Sequence, residues 1–256
     1  MGLLDGKTAV IYGIANHRSI AWGIAQAMQR EGAQLALTYQ GERIERFVRD
    51  LAAKLPTAPL LVSCDVTNDA QIAEVYRQIG ETYGKLDIVV HSVAYAERAD
   101  LEGRFIDTSR EGFNTALGIS AYSLVSVTRG ALPLMTEGGS VMAMTFAGSL
   151  RAFPNYNVMG VAKAALEATV RYLASDLGPQ GVRVNAVSAG PVGTLSARGV
   201  SGFTAMQKSA AERTPLRRGT TPDEVGDASV FLASDLARGV TGETLYVDSG
   251  LNSIGA

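Results

Sequence analysis

The feature that most restricts the fold is a rhythm: short apolar runs alternate with longer amphipathic stretches along almost the whole chain. The runs are Thr8–Tyr12, Leu35–Tyr39, Leu60–Cys64, Ile88–His91, Ser140–Met144, Val182–Val187 and Thr244–Val247. Their length suits strands covered on both faces. Between them the pattern predicts helices over Ile20–Glu31, Arg43–Lys54, Asp69–Tyr83, within Thr108–Leu132, and over Asn155–Leu177. Strand, helix, strand in repetition implies an α/β fold, a Rossmann-like doubly wound sheet of seven parallel strands flanked by helices. With 256 residues, 46% hydrophobic and 19% charged, and no linker or repeat, residues 1–256 read as one domain.

Charge and composition narrow the partners. A net charge of −2 contains no basic excess, so neither nucleic acid nor an anionic membrane surface is implied, and a small molecule is expected. Cys64 has no second cysteine to pair with, and His17 and His91 stand apart without metal-ligand spacing, so no metal site is expected. The N-terminal stretch lacks a signal peptide's apolar region, and no run reaches membrane-spanning length. These features lead to the expectation of a cytoplasmic protein with no membrane insertion.

Open α/β sheets bind ligands beyond the C-terminal ends of their strands, and polar or small residues gather at those positions. Gly13 allows a tight turn after the first run, and Ser19 can cap the next helix, leaving loop amides to face a pyrophosphate. Gln40, Asp65 and Ser92 end later runs; Asp65 and Asn68 could equally cap a helix, and Ser92 could be a turn residue. Together they outline a crevice for a dinucleotide. Gly193–Met206, rich in Gly, Ser, Thr and Ala, follows a strand end and reads as a mobile lid, with the lid region drawn over residues 193–212. Farther back, Tyr156 and Lys163 are seven positions apart, so an unbroken helix would carry both on one face. An ammonium near a phenol lowers the phenol's pKa and makes it a better acid and oxyanion donor. A helix with a snorkelling lysine has the same spacing.

Five segments converge on one family. They are Gly13 with Ser19-Ile20-Ala21, Cys64-Asp65-Val66, His91-Ser92, Pro154–Lys163 and Gly181–Pro191. In these the chain resembles bacterial enoyl-[acyl-carrier-protein] reductases of the NADH type, a branch of the short-chain dehydrogenase/reductase superfamily. Ordinary members of that superfamily place the tyrosine four residues before the lysine, where this chain has Met159. Tyr156 lies about one turn, ~5.4 Å, earlier. A ketone takes hydride at its carbonyl carbon, whereas an enoyl thioester takes it at the β-carbon, so the oxygen that needs a donor is farther away. The displaced phenol favours the alkene.

The resemblance implies hydride transfer from NADH to a trans-2-enoyl thioester, giving the saturated acyl thioester in fatty acid elongation. It assigns Gly13, Ser19, Ile20, Gln40, Asp65, Val66, Val93, Lys163, Val192 and Thr194 to the cofactor, joined by Ser92 from the strand-end reading. Ala96 and Tyr156 fall to the substrate, with Tyr156 and Lys163 catalytic. It also implies an acyl carrier protein as partner and a homotetramer. Three departures stand out: Phe146 where the family commonly has a second tyrosine, Gly193 for a basic residue, and Ser249 for a glycine. Gln40 and Glu42 favour NADH, while Arg43 keeps NADPH possible. The competing readings are a ketone or alcohol oxidoreductase of the same superfamily and a non-catalytic dinucleotide sensor.

Overall fold

The computed structural model describes residues 2–194, 197 and 201–255. The strands are β1 (Thr8–Tyr12), β2 (Gln34–Tyr39), β3 (Leu60–Ser63), β4 (Ile88–His91), β5 (Gly139–Thr145), β6 (Val182–Ala189) and β7 (Thr244–Val247). They form one seven-stranded sheet in the order β3-β2-β1-β4-β5-β6-β7. Every pairing is parallel. The order reverses between β1 and β4, where Ala9 pairs with Ile88 and Tyr12 with His91.

The helices are α1 (Ile20–Arg30), α2 (Glu42–Ala52), α3 (Asp69–Tyr83), the short α4 (Arg98–Leu101), α5 (Arg110–Leu117), α6 (Ser123–Ala131), α7 (Asn157–Leu177), α8 (Phe203–Arg213) and α9 (Pro222–Ala233). Alternation along the strands sends side chains to two cores. Ala9, Ile11, Leu35 and Leu37 face α1, α2 and α9. Val10, Tyr12, Val89 and Val141 face α3, α6 and α7. All five residues of β1 are buried, as a central strand covered on both faces requires. Each fully buried Ile or Leu stabilises the sheet by roughly 1.5–3 kcal/mol.

Two expectations shift. The single helix within Thr108–Leu132 is instead α5 and α6 joined by a wider π-turn, Gly118–Tyr122. That turn brings Ser120 inward, where its hydroxyl meets both the amide and the carbonyl of Tyr95 at 3.0 and 3.1 Å. The helix expected from Asn155 begins at Asn157, with Tyr156 at its N-cap. Asn155 and Asn157 hold φ of 60° and 36°, left-handed values that asparagine tolerates better than most residues. Tyr156 therefore precedes the regular helix and is aimed by the turn that opens it.

Candidate active site

The C-terminal ends of β1, β4, β5 and β6 open into a cavity of ≈ 430 Å³. Gly13, Ser19, Ile20, Ser92, Val93, Ala96, Phe146, Tyr156, Lys163, Val192 and Thr194 all line it. Gln40, Asp65 and Val66 do not; they lie at the ends of β2 and β3, farther along the same side of the sheet. There Gln40 Nε2 donates to Asp65 Oδ2 at 2.9 Å. Partial burial lifts the Asp65 pKa, but hydrogen bonds from Thr67 and Gln40 outweigh it and hold the carboxyl below its usual value.

Gly13 has φ of 97°, and a Cβ at this position would run into the Ser92 carbonyl. Its freedom therefore serves a close approach between the β1 and β4 loops as well as the turn. Ser19 occupies the N-cap of α1 without capping it. Its Oγ accepts instead from the amides of Ala15 and Asn16, at 3.2 and 3.1 Å, so those two are not left for a pyrophosphate. Trp22 and Gly23 donate to the Ser19 carbonyl. Ile20, the first residue of α1, lines the cavity at the positive end of the helix, which fits an anion. Asn68, not Asp65, caps α3, through the amides of Ala70 and Gln71.

Tyr156 borders the other side. Its ring lies edge-on to Phe146, with centroids 5.1 Å apart, and Phe146 packs in turn on Phe153 at 5.0 Å. Ala96 joins Tyr156 in an apolar cluster with Leu101, Val158 and Met159. Met159, at the usual tyrosine position, is buried with its sulfur 3.7 Å from Ser120 Oγ. Lys163 is deeper, and its Nζ donates to the Met144 carbonyl at 2.8 Å. Burial lowers its pKa to about 8, partly offset by the nearby Glu167 carboxylate. The expectation that Lys163 lowers the Tyr156 pKa is corrected: burial raises it, and the Glu167 charge acts in the same direction. Tyr156 is therefore a protonated phenol at neutral pH. His91, beneath the cavity, is held at about 3 by burial and by the Lys163 charge.

The family model for enoyl-(acyl carrier protein) reductase matches residues 13–252. The chain belongs to the enoyl-[acyl-carrier-protein] reductase family. It is 55% identical over 256 residues to the NADH enoyl-[acyl-carrier-protein] reductase FabI of Bacillus cereus, covering 100% of both chains. Against FabI of Bacillus subtilis it is 50% identical over 250 residues, 97% of each chain. The crystal structure of the B. cereus reductase with NADP+ and indole naphthyridinone superposes with a TM-score of 0.98 at 54% identity, covering 100% of both chains. The Aquifex aeolicus reductase gives 0.96 at 48%, again with 100% of both chains covered. The Rossmann-like parallel sheet expected from the rhythm is thus that of the enoyl reductases.

Several family departures have local consequences in this reductase. Phe146 keeps an aromatic wall but offers no hydrogen bond. Ser249 adopts φ of 57°, a conformation a glycine would hold with less strain. Leu195, Arg198, Gly199 and Val200 of the expected lid lie outside the described residues, while Phe203 and Met206, at the start of α8, line the cavity. Met144, Thr145, Phe153 and Gly190 line it too, beyond the residues expected from the sequence. Glu167 is likewise beyond those expected, and its sequence signal is an acidic residue four positions after Lys163 on an apolar helix. Among the described residues no cluster suits a metal ion, and no helix is long and apolar enough to cross a membrane.

Proposed function

We propose that this chain is an enoyl-[acyl-carrier-protein] reductase in which Tyr156 and Lys163 serve hydride transfer from NADH to the β-carbon of a trans-2-enoyl thioester. The observation that carries the assignment is the placement of Tyr156 and Lys163 in one cavity, with Met159 buried where a ketone reductase would have its phenol. When bound, the reduced nicotinamide supplies the hydride. The chain's residues bind, orient and stabilise. The α1 amides, Gly13 and Ser19 suit the pyrophosphate; Gln40, Asp65 and Val66 the adenosine half; Ser92, Val93, Val192 and Thr194 the nicotinamide half. Lys163 orients the ribose and supplies positive potential. Tyr156, kept protonated by burial, donates to the enolate oxygen as negative charge develops there. Ala96, Phe146 and Phe153 present an apolar wall to the acyl chain.

NADH consumption with a trans-2-enoyl thioester, followed at the nicotinamide absorbance, tests this directly. Tyr156→Phe should lower turnover by roughly two or more orders of magnitude while cofactor binding persists. Turnover near that of the wild type, or turnover of ketones alone, overturns the assignment.

The lid, residues 193–212, would close Phe203 and Met206 over the acyl chain. The acyl carrier protein would dock beside it, drawn by Lys208 and Arg213, both exposed on α8. Charge reversal at these two residues should raise KM for carrier-linked substrate only; equal losses with a small thioester refute the docking face. A homotetramer would cover Ile106, Tyr122 and Tyr172, exposed by 76, 54 and 76%; light scattering showing a monomer would reject it. We assign the protein to the cytoplasm, alongside its soluble carrier.

A further inference from the structure

One turn beyond Lys163 on α7 lies a carboxylate to which the reaction above gives no role. Glu167 is only 7% exposed. Its hydrogen bond comes from a neutral group, Thr145 Oγ1 to Glu167 Oε1 at 2.7 Å. A largely buried carboxylate persists where hydrogen bonds or an opposite charge compensate its desolvation, so its neighbours indicate what it is for.

The neighbouring contacts indicate that use. Residues four apart on a helix share a face, and Lys163 and Glu167 reach adjacent residues at the end of β5. Lys163 donates to the Met144 carbonyl at 2.8 Å, and Glu167 accepts from the Thr145 hydroxyl. Two ties of opposite polarity thus fasten Met144-Thr145 to α7. The next residue is Phe146, whose ring is packed on Tyr156. Met144, Thr145, Phe146, Tyr156 and Lys163 all border the cavity.

We propose that Glu167 is a positioning residue of this active site, holding the Thr145–Phe146 end of β5 against α7 and acting as counter-charge to the buried Lys163 ammonium. The proposal rests on the roles of Tyr156 and Lys163 given above. The surrounding titratable groups agree with it. Burial draws Lys163 down to about 8, and Glu167 is the group that pushes back. Burial raises Tyr156, at the start of α7, and Tyr246, on β7, and the same charge adds to both, with Asp248 raising and Arg151 lowering Tyr246 as well. His91, on β4, feels the Lys163 ammonium and stays neutral, so it supplies no competing cation.

Glu167→Gln keeps an oxygen acceptor for Thr145 and removes the charge; Thr145→Val removes the tie and keeps the charge. The first measurement follows Lys163 Cε by NMR across pH in cofactor-free protein labelled with [13C]lysine, with Lys163→Met assigning the signal. The Lys163 midpoint should fall in Glu167→Gln and stay near the wild-type value in Thr145→Val. The second is the pH profile of enoyl thioester reduction. Its alkaline limb should move to lower pH in Glu167→Gln alone. In Thr145→Val kcat should fall roughly tenfold to a hundredfold through misplacement of Phe146 and Tyr156, with Thr145→Ser restoring it. An unchanged Lys163 midpoint in Glu167→Gln, or wild-type kcat in Thr145→Val, overturns the proposal. If Glu167→Gln does not fold, the Thr145 pair decides. Failure of the functional assignment would look different: no turnover by the wild type, or none lost in Tyr156→Phe, whatever the NMR midpoint.

Discussion

Replacing Lys163 by methionine separates what this residue costs the fold from what it does for the reaction. Its ordinary pKa of 10.5 is lowered to about 8 by burial, and at ~1.36 kcal/mol per pH unit this gap amounts to about 3 kcal/mol. Methionine removes that penalty but also removes the hydrogen bond to the Met144 carbonyl, which for a charged donor contributes about 1.5–3 kcal/mol. At neutral pH the two nearly cancel, so a single stability measurement decides nothing. The pH series does. Below pH 8 the lysine is protonated in both folded and unfolded chains, and the penalty is present in full. Between about 8 and 10.5 the folded chain releases the proton while the unfolded chain keeps it, so wild-type stability climbs with pH. Above that window both are neutral and the penalty is gone. Urea unfolding of both proteins from pH 7 to 11 should therefore show the wild type gaining about 3 kcal/mol on Lys163→Met. A constant difference across that range would refute the buried, depressed lysine. The variant should also bind NADH more weakly in a cofactor-fluorescence titration, because the ribose contact proposed for Lys163 would be lost.

Other outcomes follow from the same cavity. A Cβ on Gly148 would stand 2.5 Å from Tyr156 Cδ1, so Gly148→Ala should displace the phenol, destabilise by about 1–3 kcal/mol and cut kcat far more than NADH affinity; wild-type kcat would show that the ring has room. The kcat/KM with NADH should exceed that with NADPH, since uncharged Gln40 and the adjacent Glu42 give a 2′-phosphate little welcome; the reverse order would assign the phosphate to Arg43. Hydrogen exchange over residues 194–206 should slow when NADH and an acyl ligand bind together, and equal protection in both states would exclude a closing lid.

The central strands were legible because they are buried on both faces, so that Thr8–Tyr12 and Ile88–His91 match the observed strands residue for residue; the half-buried edge strand Thr244–Val247 and the helix Asp69–Tyr83 match as closely. The first core helix of the C-terminal third was missed. α9 has a low apolar contrast between its faces, yet its start was written in Thr221-Pro222-Asp223-Glu224, a capping box with proline in the first turn. The break at Gly118–Tyr122 was illegible because a π-turn inserts one residue without altering composition. At the site, the identities of Tyr156 and Lys163 could be read, but their relation could not. Helical geometry assumed continuity through Asn157, whose left-handed backbone ends it, and a charge argument assumed that the ammonium dominates. Burial, a property of the assembled fold, reversed the sign.

The seam between β1 and β4 also has a kinetic meaning. Residues 9 and 88 meet there, the pairing of greatest separation along the chain in this sheet, while β1 with β2 and β4 with β5 join much nearer neighbours. Closing the longest loop carries the largest entropic cost, and contacts across it are rewarded only once the flanking units exist. The cavity proposed to hold the cofactor straddles this seam, with Gly13 on one side and Ser92 on the other. A half-folded chain consequently has no intact place for a dinucleotide, and added cofactor stabilises the closed sheet by mass action without guiding the steps that lead to it.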